Sequence, residues 1–435
     1  MSCNWLQVKL GEIVDITSSK RVKMADYVEK GVPFFRSKEV IERYKGNAIT
    51  TELYITEEHY QTIKDKFGSP EEGHILLTSV GTLGIPYQVQ ANDKFYFKDG
   101  NLTWFKEFGD AIDAEFLFYW LTSPIAKRKF DEITIGSTQK ALTIVALKGI
   151  EINLPPKNIQ KQVVKIVKSL DKKLSNNRGV NQTLEQMAQA IFKSWFVDFD
   201  PVKAKINGEQ PEGMDAATAS LFPEKLDSET GMPVGWSQGV IADIAKLNAK
   251  SWTKKNQPEQ VYYVDLANTK NGVIETVTSY DFSEAPSRAR RILNSGDTIV
   301  GTVRPGNRSF AFIGDTEQPL TGSTGFAVLS PKEECWTSFV YLATTNDDSI
   351  DEYDRLADGG AYPAIKPVVV ADTPCAIPTK DIAQKFWQLT GSMLKKTHQN
   401  RLENEELAKL RDTLLPKLLS GEMELRTSEE LVEAI

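Results

Sequence analysis

The sequence predicts an α+β protein built from two copies of one design, each a mixed α/β domain followed by a long helix. The two long helices are expected to form an antiparallel coiled coil, so that the chain is a pseudo-two-fold internal repeat. Three observations predict this fold class. Matching residues recur at one offset, each copy is rich in short β-like runs, and each ends in a helical segment with coiled-coil spacing.

Residues that match between the two halves lie 223 positions apart. The stretch "LPPKNIQKQVVKIVKSLDKKLSNN" (154–177) corresponds to "IPTKDIAQKFWQLTGSMLKKTHQN" (377–400). The same offset pairs Gly73 with Gly296, Gly136 with Gly359 and Asn181 with Asn404. Chance similarity would not keep one offset through strand, turn, proline joint and asparagine positions. The start, where Trp5 matches Trp236, is 231 positions apart, so the second copy is shorter there.

The repeat predicts the domain organisation. Short apolar runs such as "HILLTSV" and "NLTWF" in the first copy, and "DTIVGTV" and "GFAVLS" in the second, indicate strands punctuated by Gly and Asn. The expected parts are a first domain (1–157), a central helix (158–196), a linker (197–232), a second domain (233–379), a C-terminal helix (380–420) and a tail (421–435). Residues 197–232 hold eight acidic and three basic residues with little periodicity, which is why they are interpreted as a linker.

One face of each long helix carries residues separated by alternating steps of four and three, which is the spacing of a coiled-coil seam. In the first helix the seam is Val163, Val167, Leu170, Leu174, Asn177, Asn181, Leu184, Ala188, Ile191 and Trp195. In the second it is Phe386, Thr390, Met393, Thr397, Asn400, Asn404, Leu407, Arg411, Leu414 and Leu418. Asn177, Asn181, Asn400 and Asn404 are predicted to fix the register, since a buried asparagine costs stability but specifies alignment. Asn158 and Asp381 are predicted N-caps.

A helix of this length spans about 57 Å at 1.5 Å per residue. It is not stable alone on a mixed seam, so it needs a partner along its length. The economical partner is its own repeat, in antiparallel orientation. The alternative is two separate amphipathic helices, each packed on its own domain.

Composition places the chain among ordinary globular proteins of a reducing compartment. It has 435 residues, no secretory signal, no apolar run long enough for a membrane, and three widely spaced cysteines. We therefore expect a cytoplasmic location. The three histidines show no metal-ligand spacing, and no metal site is predicted. The net charge of −7 opposes simple polyanion binding unless basic residues gather on one face.

Motifs for catalysis are lacking in the sequence. It contains no Walker A loop, no methyltransferase Asn/Asp-Pro-Pro-aromatic motif and no G-x-S-x-G elbow. These absences favour a binding protein over an enzyme, and no cofactor is predicted for this chain.

Basic clusters occur in loop-like segments of both domains. They comprise Lys20, Arg21 and Lys23 in the first domain, and Lys250, Lys254, Lys255, Arg288, Arg290, Arg291, Arg304 and Arg308 in the second. Lysine and arginine among Ser, Thr, Asn and Gln suit phosphate contacts and base-edge hydrogen bonds, so double-stranded DNA is the predicted ligand. The alternative for any one of them is a solvated charged surface.

Two further loop pairs correspond by the offset. "TSVGTLG" carries Ser79 and Thr82 where "GTVRPGNRS" carries its arginines. "GSTQKAL" and "GGAYPAI" carry Gln139, Lys140 and Tyr362 on a glycine turn before the last strand. These side chains are predicted to face DNA, although bracing the turn is an equal alternative for Gln139, Lys140 and Tyr362.

Residues 136–173, "GSTQKALTIVALKGIEINLPPKNIQKQVVKIVKSLDKK", resemble the junction between a target-recognition domain and a conserved helix in the specificity (S) subunits of Type I restriction–modification systems. "MAQAIFKSWFVDFDPVKAK" and "LAKLRDTLLPKLLSGEMEL" are similar to the ends of that family's central and C-terminal conserved regions. The resemblance covers nearly the whole chain. It departs after the prolines, where the usual Glu-Gln is Ile159-Gln160 in one copy and Ile382-Ala383 in the other.

This resemblance implies a DNA-recognition subunit with no catalytic residue. Each target-recognition domain would read one half of a bipartite asymmetric DNA target, and the paired helices would set the unread spacer. The helices would also dock two modification (methyltransferase) subunits that bind S-adenosylmethionine, and restriction (motor and nuclease) subunits that use ATP would join for cleavage. Two other interpretations stay open from the residues: a DNA-independent coiled-coil scaffold protein, and an enzyme with a cryptic site.

Overall fold

The computed structural model describes residues 5–46, 49, 51, 53–136, 140–423 and 425. The chain divides into two units. Unit 1 consists of Met1–Ser175 and Glu405–Ile435, and unit 2 consists of Asn176–Asn404. The division passes through both long helices, so each unit contains half of each helix.

Unit 1 alternates short strands and short helices before the first long helix. Its strands are β1 (Leu6–Lys9), β2 (Val14–Thr17), β3 (Tyr27–Val28), β4 (Val32–Phe35), β5 (Tyr54–Ile55), β6 (Ile75–Thr78), β7 (Pro86–Gln88), β8 (Tyr96–Phe97), β9 (Leu102–Phe108) and β10 (Glu151–Leu154). Its helices are α1 (Leu10–Ile13), α2 (Ser37–Tyr44), α3 (Glu57–Phe67), α4 (Ala114–Thr122), α5 (Pro124–Ile133), α6 (Ile144–Lys148) and the start of α7 (Lys157–Phe196), with a 3-10 turn at Met24–Asp26.

The strands of unit 1 form two four-stranded sheets and a two-stranded ribbon. One sheet has the order β2-β9-β6-β7 and is antiparallel, and the other has the order β3-β5-β4-β8. The ribbon joins the first strand, β1, to the last, β10. All four residues of β6 are buried, as are the first four of β9, because these central strands are covered on both faces.

The main core of unit 1 includes both long helices. Val163 and Val167 of α7 and Leu415 and Leu418 near the C-terminal end of the second long helix lie in one buried cluster with residues of the antiparallel sheet. Full burial of such a side chain stabilises a fold by about 1.5–3 kcal/mol. The start of one long helix is therefore packed beside the end of the other.

Gln160 fixes the start of α7 to the domain. Its side chain is fully buried, and its amide donates hydrogen bonds of 2.8 Å to the carbonyls of Ala111 and Pro155. Its carbonyl oxygen accepts a hydrogen bond of 2.8 Å from the backbone N–H of Asp113, the residue that caps α4. One side chain therefore satisfies three buried backbone groups at the proline joint.

Unit 2 contains the remaining elements. Its strands are β11 (Ser237–Val240), β12 (Ala245–Leu247), β13 (Gln260–Val264), β14 (Thr269–Lys270), β15 (Val273–Ile274), β16 (Thr278–Asp281), β17 (Ala289–Leu293), β18 (Thr298–Gly301), β19 (Phe310–Phe312), β20 (Leu320–Ser323), β21 (Phe326–Pro331) and β22 (Pro374–Ile377). Its helices are α8 (Asp200–Ile206), α9 (Ala216–Leu221), α10 (Ile241–Ile244), α11 (Thr337–Thr345), α12 (Asp347–Leu356), α13 (Pro367–Ala371) and the start of α14 (Lys380–Ser420), with 3-10 turns at Pro305–Asn307 and Glu334–Trp336.

The topology of unit 2 repeats that of unit 1. Its sheet β12-β21-β18-β19 corresponds to β2-β9-β6-β7, and its ribbon β11-β22 corresponds to β1-β10. Both ends of β18, β22, α11, α12 and α13 lie 223 positions after the ends of β6, β10, α4, α5 and α6. An isolated bridge between Val80 and Ala141 recurs at the same offset between Val303 and Ala364. The predicted fold class, including its internal repeat, is confirmed.

The segment predicted as a linker is structured. It contains α8 and α9, and Val202 and Phe222 are buried in the main core of unit 2 beside Trp236. Charge and weak periodicity concealed these helices because each is too short to show an amphipathic pattern. The predicted domain boundaries stay a prediction.

All ten predicted seam positions on each long helix are buried or half-buried. In unit 2, the Asn400 amide donates to the Asn181 side-chain oxygen at 2.8 Å, and the Asn177 amide donates to the Asn404 side-chain oxygen at 3.0 Å. One residue number falls by four as the other rises by four, so the helices are antiparallel. Asn181 also donates to the carbonyl of Thr397 at 3.2 Å. In unit 1 the same pairing continues with an ion pair of 3.0 Å between Asp171 and Arg411.

The prediction that Asn158 and Asp381 cap the long helices was wrong. Each is the second residue of its helix, because α7 begins at Lys157 and α14 at Lys380. The carbonyl of Pro156 already accepts hydrogen bonds from the N–H groups of Ile159 and Gln160. The proline joint itself therefore starts the helix two residues earlier than a cap at the polar side chain would. None of the helices in the described ranges is long and apolar enough to cross a membrane.

Replacing Gln160 by alanine is expected to lower the local stability of the α7 start by about 2 kcal/mol, because buried backbone groups lose their partners. Hydrogen-exchange mass spectrometry would measure this as faster exchange in peptides that cover residues 111–117 and 157–165. Gln162→Ala, two residues further along the helix, is the matched control. Equal exchange in both variants would contradict the role of Gln160.

Candidate nucleic-acid interface

In unit 2 the structure brings two of the predicted basic clusters together. The loop that carries Lys250 and Trp252 runs beside β17, the edge strand of the sheet β16-β13-β20-β17. Trp252 N–H donates to the carbonyl of Arg290 at 2.8 Å, and Ile292 N–H donates to the carbonyl of Lys250 at 3.2 Å. Six cations from sequence positions about forty residues apart therefore share one edge.

These six cations keep their charge available. Lys250, Lys254, Lys255 and Arg288 are exposed. Within the described ranges, none of the six forms an ion pair with a carboxylate. Such a set of unneutralised cations, on strand β17 and the loop beside it, is the pattern expected for phosphate contacts. We call this group the basic edge of unit 2: Lys250, Lys254, Lys255, Arg288, Arg290 and Arg291.

Two members of the basic edge are held in place by neighbours. The Arg290 guanidinium lies 5.0 Å from the centre of the Phe282 ring. Arg291 is half-buried and donates to the Ser251 hydroxyl at 3.1 Å, and burial lowers its pKa from the ordinary value. Its Nε is buried without a hydrogen-bond partner among the described residues. Arg290 and Arg291 are therefore held against neighbouring side chains at this edge.

The second arginine pair lies on a strained turn, Arg304–Arg308, which we call the arginine turn. Both arginines have positive φ, +49° and +60°, in a region that costs a non-glycine residue about 1–3 kcal/mol. Such strain persists only where surrounding contacts hold it. Here Gly306 N–H donates to an Asp354 carboxylate oxygen at 3.0 Å.

The two arginines of this turn differ in their contacts. Arg308 forms an ion pair of 2.5 Å with Asp347, and its Nε donates to the Asn271 side chain at 3.0 Å. Arg304 is exposed and forms no ion pair among the described residues. Its guanidinium donates to the carbonyl of Ala361 at 2.7 Å and stacks 4.7 Å from the centre of the Tyr362 ring. Arg304 is thus the free cation of the turn.

Tyr362 forms an aromatic platform for Arg304. Tyr362 is 71% exposed. The backbone below it is fixed, because Arg304 N–H donates to the carbonyl of Pro363 at 2.7 Å. Arginine stacked on an exposed ring is suited to nucleic acid, where both the cation and the ring find partners.

A tight turn connects the basic edge to the arginine turn. Thr324 N–H donates to the carbonyl of Arg288, and Thr302 N–H donates to the carbonyl of the next residue, Gly325, both at 2.8 Å. The end of β18 and the start of β17 therefore meet at this turn. Arg288 and Arg304 emerge on neighbouring loops of one unit.

The loop of unit 1 that corresponds to the arginine turn carries different side chains. Gly81 N–H donates to the carbonyl of Lys140 at 3.3 Å, at the offset of the Arg304–Pro363 bond. Thr82 and Lys140 are exposed there. This hydrogen bond keeps its place in the repeat, but the loop of unit 2 is one residue longer, contains the 3-10 turn Pro305–Asn307 and carries the arginine pair that the first copy lacks.

The predicted cluster of Lys20, Arg21 and Lys23 is exposed in unit 1. Lys20 lies 4.8 Å from the centre of the half-exposed Phe67 ring, and its N–H donates to the Tyr96 hydroxyl at 2.8 Å. Ser19, next to it, donates to the carbonyl of Phe97 at 2.7 Å. The loop is thus anchored on the second sheet with its cations facing solvent.

Two predicted residues need separate mention. Ser79 is buried, and its hydroxyl is engaged with the Leu77 carbonyl and, at 2.6 Å, with the Thr103 hydroxyl. It braces the end of β6 and presents no free hydroxyl to a ligand, because both of these contacts lie in the interior. Gln139 lies outside the described residues.

Sequence reasoning missed the residues that hold the arginine turn: Asn271, Asp347 and Asp354. The two aspartates lie seven residues apart, on one face of α12. The available signal was the run "DDSIDEYD" at the place where the first copy has "PIAKRKFD". No group of three or more His, Cys, Asp or Glu in the described ranges could hold a metal ion.

Comparisons with known proteins agree with one another. The family model for the "Type I restriction modification DNA specificity domain" matches residues 3–186. The Type I restriction enzyme HindI specificity subunit of Haemophilus influenzae is 27% identical over 358 residues, which cover 71% of this chain and 77% of that protein. The Type I restriction enzyme MjaIX specificity subunit of Methanocaldococcus jannaschii is 24% identical over 433 residues, or 97% of this chain and 94% of that protein.

A solved structure shares the fold. The crystal structure of a Type I restriction–modification system S subunit from M. genitalium aligns with a TM-score of 0.56 at 17% identity, covering 97% of each chain. The likeness extends over both copies of the repeat and both long helices.

Replacing Lys254 and Lys255 together by alanine is expected to reduce the slope of log Kd against log salt concentration by about two, since each phosphate contact contributes about 0.9. Fluorescence anisotropy with a labelled random-sequence duplex would measure it. Lys203→Ala with Lys225→Ala, which removes the same charge from residues 197–232, is the matched control. Equal slopes for the two double variants would place the phosphate contacts elsewhere.

Proposed function

Since residues 3–186 match the family model of the Type I restriction modification DNA specificity domain, we propose that the chain is a specificity subunit whose two units read the two halves of a bipartite, asymmetric DNA target. The observation that carries this proposal is the recurrence of one loop frame in both units. The Gly81–Lys140 bond of unit 1 and the Arg304–Pro363 bond of unit 2 occupy the same place in the repeat. An exposed cation takes part in each of these bonds: Lys140 in unit 1 and Arg304 in unit 2.

Different side chains on one frame imply two different half-sites. Unit 2 presents Arg304 on Tyr362, a guanidinium that suits the O6 and N7 acceptors of guanine in the major groove. Unit 1 presents Thr82 and Lys140 at the corresponding turns, and Lys20 and Arg21 on a separate exposed loop. Backbone geometry places the loops, and the loop residues select the bases.

The paired helices are proposed to act as a ruler for the unread spacer. Their asparagine layers support this role, because a one-heptad shift would leave buried amides without partners. A fixed register fixes how much helix separates the two loop frames. Reading two half-sites on one duplex requires separations near one helical turn, about 34 Å, or more.

Catalysis is assigned to partner proteins in this proposal. Two modification subunits that dock on the helices would bind S-adenosylmethionine and methylate DNA, and restriction subunits would use ATP. The chain itself would be non-catalytic and act in the cytoplasm. Its acidic total charge fits this arrangement, because affinity for DNA is shared and only the reading edges need be basic. Methyl transfer to DNA by the purified chain alone would contradict this assignment.

Selection from a pool of random duplexes, with the modification subunits present, tests the proposed function. We expect enriched duplexes to contain two short fixed blocks separated by a constant unread gap. Sequencing of bound duplexes over successive rounds is the measurement. Binding of the partner proteins without any DNA enrichment would instead support a DNA-independent scaffold.

Deleting one heptad from both helices tests the ruler. Removing residues 172–178 and 403–409 keeps the Asp171–Arg411 and Asn181–Asn400 contacts and preserves the four-three spacing of both seams. The helix pair shortens by about 10 Å at 1.5 Å per residue. We expect the same selection to return the same two blocks with a shorter gap. An unchanged gap would refute the ruler.

A further inference from the structure

The helix beside the arginine turn is strongly acidic. Helix α12 contains five carboxylates and one cation, Arg355. The five are Asp347, Asp348, Asp351, Glu352 and Asp354. An acidic helix next to a surface that is to approach phosphates opposes binding, so its presence requires an explanation.

The first copy shows that the fold does not need four of these five acids. Helix α5 has the same place in unit 1, yet it carries Lys127, Arg128 and Lys129, and of the five only Asp354 has an acidic counterpart at the 223 offset, Asp131. It packs against its turn through Phe130, which lies against Gly84. The residue at the offset of Phe130 is Tyr353, which is also buried. The apolar contact and the acid at the Asp354 position are therefore shared, whereas Asp347, Asp348, Asp351 and Glu352 belong to the copy with the arginine turn.

The carboxylates of α12 hold that turn at two points. Asp354 accepts the N–H of Gly306 at its centre, and Asp347 pairs with Arg308 at its end. Gly306 lies so close that a side chain there would meet the Asp354 carboxylate at 2.8 Å. These contacts stabilise a backbone in which Arg304 and Arg308 both have positive φ.

The same contacts divide the two arginines between different tasks. Arg308 is neutralised by Asp347 and oriented by Asn271, so it is withheld from phosphates. Arg304 stays unpaired on the Tyr362 ring. A single free guanidinium in a fixed position can distinguish bases, whereas two mobile ones would bind any backbone.

We propose that α12 is a specificity-determining element of unit 2, in which Asp354 and Asp347 are positioning residues that fix the arginine turn and withhold Arg308 from non-specific phosphate contact. This inference rests on the proposed function and goes further, since it names how the second half-site is discriminated.

The test uses the full chain with its modification subunits and three duplexes: the selected sequence, one with the first half-site scrambled and one with the second scrambled. The ratio of Kd values gives the discrimination at each half-site. Asp354→Ala is expected to lower discrimination at the second half-site at least tenfold. Discrimination at the first should be unchanged, which also reports that the chain is folded.

Conservative and control variants separate positioning from general charge. Asp354→Asn keeps an acceptor for the Gly306 N–H and is expected to restore most of the discrimination. Asp347→Asn frees Arg308 and is expected to tighten binding to the duplex with a scrambled second half-site several-fold and to steepen the salt slope by about one. Asp348→Asn removes the same charge from the neighbouring position and should change neither ratio.

The outcomes are distinguishable. Unchanged discrimination at the second half-site in both Asp354→Ala and Asp347→Asn would overturn the inference while leaving the proposed function intact. An Asp348→Asn effect equal to that of Asp347→Asn would also overturn it, because general charge would then be the cause. No preference of the unsubstituted chain for either half-site would overturn the proposed function, and the inference with it.

Discussion

The register of two antiparallel helices is the constraint on which the rest of this structure depends. A long helix with a mixed seam gains little from apolar burial at its centre, so polar contacts must specify the alignment. Asn400 and Asn181 exchange a side-chain hydrogen bond there, and Asn177 with Asn404 adds a second layer. A shifted alignment would bury unpaired amides, each costing about 1–3 kcal/mol. The asparagine layers thus specify one alignment of the two helices at some cost in stability.

That constraint allows the domains to vary independently. Each copy joins its last strand to its long helix through the same proline joint, and in unit 1 the buried Gln160 secures the joint. Beyond it, one backbone frame carries unlike side chains: a glycine turn in one unit and the Arg304–Arg308 turn in the other. Because the loop residues do not support the core, they can change without altering the helices. A recognition protein with two binding domains benefits when its loops can vary independently of its helices.

The sequence was sufficient for the repeat, the seam and most of the strands, because these depend on periodicity and on one constant offset. Prediction from the sequence failed where a residue's role depends on contacts with distant parts of the chain. It also failed where a neighbouring backbone group takes the role expected of a side chain. Asn158 resembles a cap, but the proline carbonyl starts the helix first. Ser79 resembles a ligand-facing hydroxyl, yet it is buried against Thr103. The roles of Asp347 and Asp354 depend on packing that brings α12 onto a turn some forty residues earlier, which no local pattern reveals.

Cross-linking of paired cysteines measures the helix register most directly. In the full chain with its native cysteines replaced by alanine, Asn181→Cys is combined either with Asn400→Cys or with Met393→Cys, one heptad away. The account predicts rapid coupling by a short thiol cross-linker for the first pair and none for the second. Preferential coupling of the second pair, or equal coupling of both, would contradict a fixed antiparallel register.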